Sequence, residues 1–317
     1  MREERIFEIS SVTDENLSYL SCRQGENLEM RICEMSFAAE KIAASAVSLV
    51  EDGMSVSEIA ALLSDELGAE NSLTEDSSPN ESGEAVARFL SFLKGVDKAN
   101  FSTLLLEKLR DNGINASEKD FLEESGAKES FIYVRNSLSD EAYDVFSQEF
   151  DSPRVLYSDS FKEACFAVAD GKAGYCILPF EERAGMRIPG IYNLISRLDL
   201  KIVAVTPVFG FEGTADMKYA LVSRGFKIPE ISENTDRYLE INVSCDSSVS
   251  LGELLTVSEY FGLSVFRINT FEDERENENS YFSVILKDGG SSFTELLTYL
   301  SIFADTYSAM GIYKNIE

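Results

Sequence analysis

The sequence predicts an α/β and α+β multidomain protein, with an N-terminal helical region, a parallel α/β lobe and a C-terminal ferredoxin-like βαββαβ module. Three observations predict it. Apolar residues recur at three-to-four spacing through much of the chain up to Asp111. Short apolar runs alternate with amphipathic stretches from Phe131 to Val205, and the order strand, helix, strand, strand, helix, strand follows from Arg237 to Tyr313. The corresponding parts are residues 1–125, 130–228 and 236–317.

From Leu28 to Val50 the apolar positions Met30, Cys33, Phe37, Ala38, Ile42, Ala46 and Leu49 fall near one helix face, which Gly53 ends. Ser55 opens a second helix as N-cap, with Glu58 placed to complete a capping box, and the pattern runs to Leu67 before Gly68. Residues 69–83 are polar turn formers and read as a loop or linker. Helices over Glu84–Leu93 and Ser102–Asp111 follow. The run Gly53–Ala60 invites a helix-turn-helix reading, and hence a transcription factor, but an acidic surface favours a packed helical hairpin.

In the second part, strands are expected at Phe131–Val134, Arg154–Tyr157, Ala173–Leu178 and Leu200–Val205. Helices between them cover Ser139–Phe150, capped by Ser137 or Ser139, then Phe161–Val168 and Ile191–Ile195. In the third, Tyr238–Val243 alternates as a half-buried strand, Ser250–Phe261 is a helix, and Leu263–Asn269 and Tyr281–Lys287 are strands. A helix over Ser292–Phe303 and a strand over Ser308–Tyr313 complete the module, and the acidic run Glu272–Glu278 is a solvated hairpin loop.

Composition narrows the function. With 317 residues and 44% hydrophobic content the chain can bury two or three cores. Its 56 acidic against 28 basic side chains give a net charge of -28, which repels phosphate backbones and anionic lipid, so neither nucleic acid nor membrane is an expected partner. The apolar runs are too short or interrupted to span a bilayer and Met1–Arg5 opens no signal segment, so a cytoplasmic location is expected. The five cysteines, Cys22, Cys33, Cys165, Cys176 and Cys245, read as reduced, buried thiols. The chain has no histidine, which excludes serine-histidine and cysteine-histidine catalysis. No C-x-x-C pair offers a zinc site, and neither metal nor cofactor is expected.

One stretch carries more. Phe161–Val168, Asp170-Gly171, Ala173–Leu178, Pro179-Phe180-Glu181-Glu182-Arg183, Ile191–Ile195 and Leu200–Val205 resemble, in that order, consecutive pieces of prephenate dehydratase. In that family a helix F-x-x-V/A-F-x-A-V leads to a strand ending in P-I-E-N-S, a Y-D-L-L helix and an L-K-I-V strand. The resemblance implies a lobe like half of a type II periplasmic-binding-like dehydratase domain, and it makes the C-terminal module similar to an ACT domain, which senses amino acids in those enzymes.

The positions that would carry the chemistry differ. The family's second lobe begins after L-K-I-V and the chain returns through N-x-T-R-F; here Lys201–Pro207 is followed after a few residues by Met217-Lys218-Tyr219, so the second lobe is expected to be missing. Met217 stands where the resemblance implies a threonine, Lys218 where it implies an arginine, and Tyr219 where it implies a phenylalanine. Lysine keeps the charge without the bidentate fork. Glu181 matches the family, Glu182 and Arg183 do not, and the plain reading of Glu181 is a solvated carboxylate at a strand end.

In the ACT-like part, Gly252-Glu253-Leu254 resembles the G-A-L ligand turn and Asn269-Thr270-Phe271-Glu272 replaces E-S-R-P. Candidate ligand contacts are therefore Gly252, Leu254, Asn269 and Thr270. The resemblance yields two functional expectations. The first is a catalytically impaired relative with a regulatory, amino-acid-binding or dimerising role, forming a homodimer through its ACT-like module. The alternative is an active prephenate dehydratase making phenylpyruvate for L-phenylalanine biosynthesis.

Overall fold

The computed structural model describes residues 28–72, 89–124, 126–182, 185–209, 215–231, 235–272 and 280–316. It divides into two compact units: one holds the chain up to Phe121 with Ser247–Phe261 and Phe293–Thr306, the other holds Leu122–Asp246, Gly262–Ser292 and Tyr307–Glu317.

The first unit is helical. Helices α1 (Leu28–Glu51) and α2 (Val56–Ser72) are separated by a turn in which Gly53 takes a φ of 94°, a left-handed value that suits glycine. The expected capping box forms: Glu58 N donates to Ser55 Oγ at 3.2 Å, and Ser55 N donates to Glu58 Oε2 at 2.8 Å. The third expected helix is described only at Phe89–Phe92, and the 69–83 linker lies largely outside the described residues. Helix α3 (Val96–Asp111) starts earlier than the sequence suggests. It packs against α1 and against two helices from the C-terminal module, α7 (Leu251–Tyr260) and α8 (Thr294–Phe303). Lys98 reaches Glu253 at 3.0 Å, Tyr299 donates to the same Glu253 at 2.9 Å, and buried Glu118 accepts from Phe293 N at 2.9 Å, where α8 begins.

The second unit is built on one nine-stranded mixed sheet. Its strands are β1 (Ser130–Tyr133), β2 (Arg154–Tyr157), β3 (Tyr175–Glu182), β4 (Lys201–Phe209), β5 (Ala215–Ser223), β6 (Arg237–Ser244), β7 (Ser264–Glu272), β8 (Ser280–Lys287) and β9 (Tyr307–Asn315). They lie in the order β2-β1-β3-β5-β4-β9-β6-β8-β7. The lobe is mixed rather than purely parallel. β1 is parallel to β2 and β3, but β5 inserts antiparallel between β3 and β4, because the few residues joining β4 to β5 permit a hairpin and no crossover. No second lobe interrupts that hairpin. The half of the sheet from β9 to β7 has the βαββαβ connectivity and the strand order expected for a ferredoxin-like module.

Helices α4 (Ser137–Ser147), α5 (Phe161–Ala169) and α6 (Pro189–Arg197) complete the lobe. The cap of α4 is Asn136, whose Oδ1 accepts from Leu138 N at 3.1 Å and Ser139 N at 2.9 Å, so the helix starts before the serines singled out from sequence. Alternate residues of β3 feed two cores: Tyr175 and Ile177 face α4, and Cys176, Leu178 and Phe180 face α5 and α6. Cys165 and Cys176 are buried as expected, but Cys245 is exposed, since it lies just past the end of β6 where burial stops.

Candidate functional site

At the end of β3, Pro179 interrupts the strand and the β3–β5 register shifts between Pro179 and Glu181. The shift is a bulge at Phe180, and it turns Glu181 toward the same side as Phe180 instead of the opposite one. The backbone then folds back sharply: Gly185, at a φ of 80°, donates to Glu182 O, and Glu182 N donates to Met186 O, which sets Arg187 in a bridge against Glu181. Phe180 O accepts from Ile188 N, after which Pro189 starts α6.

This turn builds a buried charge cluster. Arg187 donates through Nη1 to Glu181 Oε2 at 2.8 Å and through Nη2 to Glu240 Oε2 at 2.9 Å, with its guanidinium 3.8 Å from the Phe180 ring centre. Arg267 donates to Glu181 Oε2 at 2.8 Å and also to Gly185 O, and Lys218 lies 3.3 Å from Glu181 Oε1. Glu240 is served further by Tyr313, which donates to Oε2 at 2.9 Å, and by Ser283, which donates to Oε1 at 2.9 Å. Beside it Tyr192 Oη donates to Asn242 Oδ1 at 2.7 Å while its ring stacks on Phe271 at 4.4 Å.

Glu181 is 4% exposed and Glu240 0%. The expectation of a solvated Glu181 is therefore corrected: the bulge and the returning Arg187 enclose it. The half-buried reading of β6 is corrected too, because Glu240 and Asn242, on its polar face, are covered by Arg187 and Tyr192.

Electrostatics follow from the burial. Burial alone lowers the Arg187 pKa, but Glu240, Tyr313 and Glu181 beside it outweigh this and hold the guanidinium above its ordinary value. Burial pushes the Tyr192 and Tyr313 phenols well up, and the Glu240 charge adds to both shifts. Both carboxylates are thus committed to cations and hydroxyl donors. Two buried donors, Arg187 Nε and Asn269 Nδ2, have no hydrogen-bond partner among the described residues.

The structure brings Glu181 and Lys218 together directly, as cross-strand partners, and pairs exposed Glu182 with Met217. Met217 and Tyr219 point the other way, into the core of Phe131, Tyr133 and Ala142. Arg183 lies outside the described residues, as does most of the acidic run between β7 and β8. Gly252 is exposed in the first turn of α7, where an added Cβ would meet nothing within 4 Å, and Leu254 is buried. Asn269 and Thr270 are on β7 in the other unit, Asn269 opposite Ser283, which in turn lies opposite Asn242. Sequence reasoning missed Arg187, Arg267, Glu240, Tyr192 and Tyr313. A legible signal existed for one of them: Glu240 sits in an apolar run whose flanking residues are all strand formers.

Among the described residues no group of three or more Cys, Asp or Glu could hold a metal ion, and no helix is long and apolar enough to cross a membrane. What the cluster can do is bind charge to charge across the lobe and the ferredoxin-like strands.

No protein-family model and no curated protein matches this sequence. Among solved structures, the chain is similar to a protein described as GqqA, a novel type of quorum quenching acylase, at 18% identity and a TM-score of 0.44, over 59% of this chain and 95% of that one. It is similar to prephenate dehydratase from Streptococcus mutans at 14% identity and a TM-score of 0.46, over 59% of this chain and 99% of that one. A third is prephenate dehydratase from Arthrobacter aurescens in complex with L-Phe, at 12% identity and a TM-score of 0.43, over 58% and 89%. These are distant likenesses of fold, and they assign no activity to this chain.

Proposed function

We propose that this protein is a catalytically impaired prephenate dehydratase-like protein, cytoplasmic, with a regulatory, amino-acid-binding or dimerising role. The observation that carries the reading is the state of Glu181, whose two oxygens are taken by Arg187, Arg267 and Lys218 in a buried setting. Such a carboxylate, held by three cations, is better suited to be a structural counter-ion than to exchange a proton with substrate. Met217 supports the same reading, because it packs into an apolar core instead of offering a hydroxyl. With purified protein, prephenate is expected to disappear no faster than in buffer. Turnover well above that background, lost on Lys218→Met, would establish the working dehydratase instead.

The dimerising role is supported by β7, which among the described residues is the last strand of the sheet with one edge unpaired, and which exposes Val265, Phe266 and Ile268. Pairing of two such edges is the expected homodimer contact of an ACT-like module. Light scattering after gel filtration should give twice the chain mass, and Val265→Lys with Ile268→Lys should give the single-chain mass at equal concentration. A monomeric parent protein would remove this role.

A further inference from the structure

A cavity of about 400 Å³ opens on the α4 side of the sheet, and none of its lining residues belongs to the Glu181 cluster. Phe146, Phe150, Val203 and Leu221 give it apolar wall, and Lys227 and Lys314 line it with Glu149, Glu230 and Arg237. Volume and lining are those of a small-molecule site.

The cavity has a structural cause. Both pairings of β4, with β5 and with β9, shift register between Ile202 and Ala204. In a regular strand Val203 and Ala204 would face opposite sides; the bulge turns both toward α4, where both belong to the same core and line the cavity. Modest side chains thus stand at the bulge, and the space above them is left open.

The charges that line the cavity point to the ligand. Arg237, also at the wall, is buried and committed to Asp288 at 2.6 Å, and Lys314 pairs with Glu149 at 3.2 Å. Lys227 has no carboxylate partner among the described residues, and its ammonium lies 4.3 Å from the Phe150 ring centre. In a chain with twice as many acidic as basic side chains, an ammonium held over an aromatic wall without a counter-ion is a place for an anion. Glu149 and Glu230 also line the site, and their charge disfavours a ligand with a second negative group.

We infer that this cavity binds a small monocarboxylic acid with an apolar body, the body against Phe146, Val203 and Leu221 and the carboxylate on Lys227 with Lys314. The site is separate from the Glu181 cluster, and the inference stands whether or not the protein turns over prephenate. Calorimetric titration of the full chain with hydrocinnamate, hydrocinnamyl alcohol and the corresponding amine tests it. The acid should bind roughly tenfold tighter than the alcohol, the value of one charge-assisted contact, and the amine should not bind. Lys227→Gln, at an exposed position, should erase the preference for acid over alcohol and leave the alcohol unchanged, while Ala204→Leu should block both. If no probe saturates, if the alcohol matches the acid, or if the preference survives Lys227→Gln, the inference is overturned.

Discussion

Arg187→Leu is expected to destabilise the protein by about 3–5 kcal/mol, a large share of the stability of an ordinary domain. The size follows from what remains. Glu181 would keep Arg267 and Lys218, both partly exposed, but Glu240 would lose the one cation that pairs with it among the described residues and stay fully buried with two hydroxyl donors. Removing the other partner as well, as Arg187→Leu with Glu240→Leu, should recover much of the loss, because two matched apolar groups no longer need each other's charge. Urea unfolding of the parent, both single variants and the double variant closes the cycle. A loss below about 1 kcal/mol for Arg187→Leu would show that the cluster is not the joint described above.

The contrast between what could be read from residues and what could not is clearest around this cluster. Periodicity found the elements: the Ser55–Glu58 capping box forms, α5 spans the expected Phe161–Val168, and the ferredoxin-like order emerges from strands and helices whose patterns are local. Register is not local. Lys218 meets Glu181 only because the β4–β5 hairpin and the Phe180 bulge align them, and Arg187 reaches Glu240 across 53 positions of chain. The half-buried pattern of β6 gave no hint of a cover on its polar side, since a hydrogen-bonded Glu or Asn looks the same in sequence whether water or a buried arginine satisfies it. The parallel lobe was misjudged for a related reason: β5 resembles its neighbours in composition, and only the shortness of the link to β4 dictates that it runs the other way.

The second large effect is expected at the seam of the sheet. β4 and β9 are parallel neighbours that join the lobe strands to the ferredoxin-like strands, and Gly311 lies opposite Ile202 at that junction. A Cβ added to Gly311 would sit 2.7 Å from Ile202 Cβ and 3.0 Å from Ile202 N, with the Ile202 carbonyl nearer still. Backbone cannot yield as a flexible side chain does, so glycine is needed here for close approach. The pairing of β9 with β6 also shifts register next to this residue, between Glu240 and Ile241, and β4 bulges just past Ile202, so the three strands are fitted to one another at this point. Gly311→Val should therefore separate β4 from β9 and cost about 3 kcal/mol, with Gly311→Ala intermediate. Amide exchange should report where the damage falls: faster at Ala204, Val205 and Lys314, and unchanged at Phe131 and Ile132, which pair at the far side of the lobe. Because Val203 and Ala204 line the cavity beside the same seam, hydrocinnamate binding should weaken in step with the exchange. Full protection of Ala204 and Lys314 in Gly311→Val would mean that the seam tolerates a side chain, and that the bulge alone shapes the cavity.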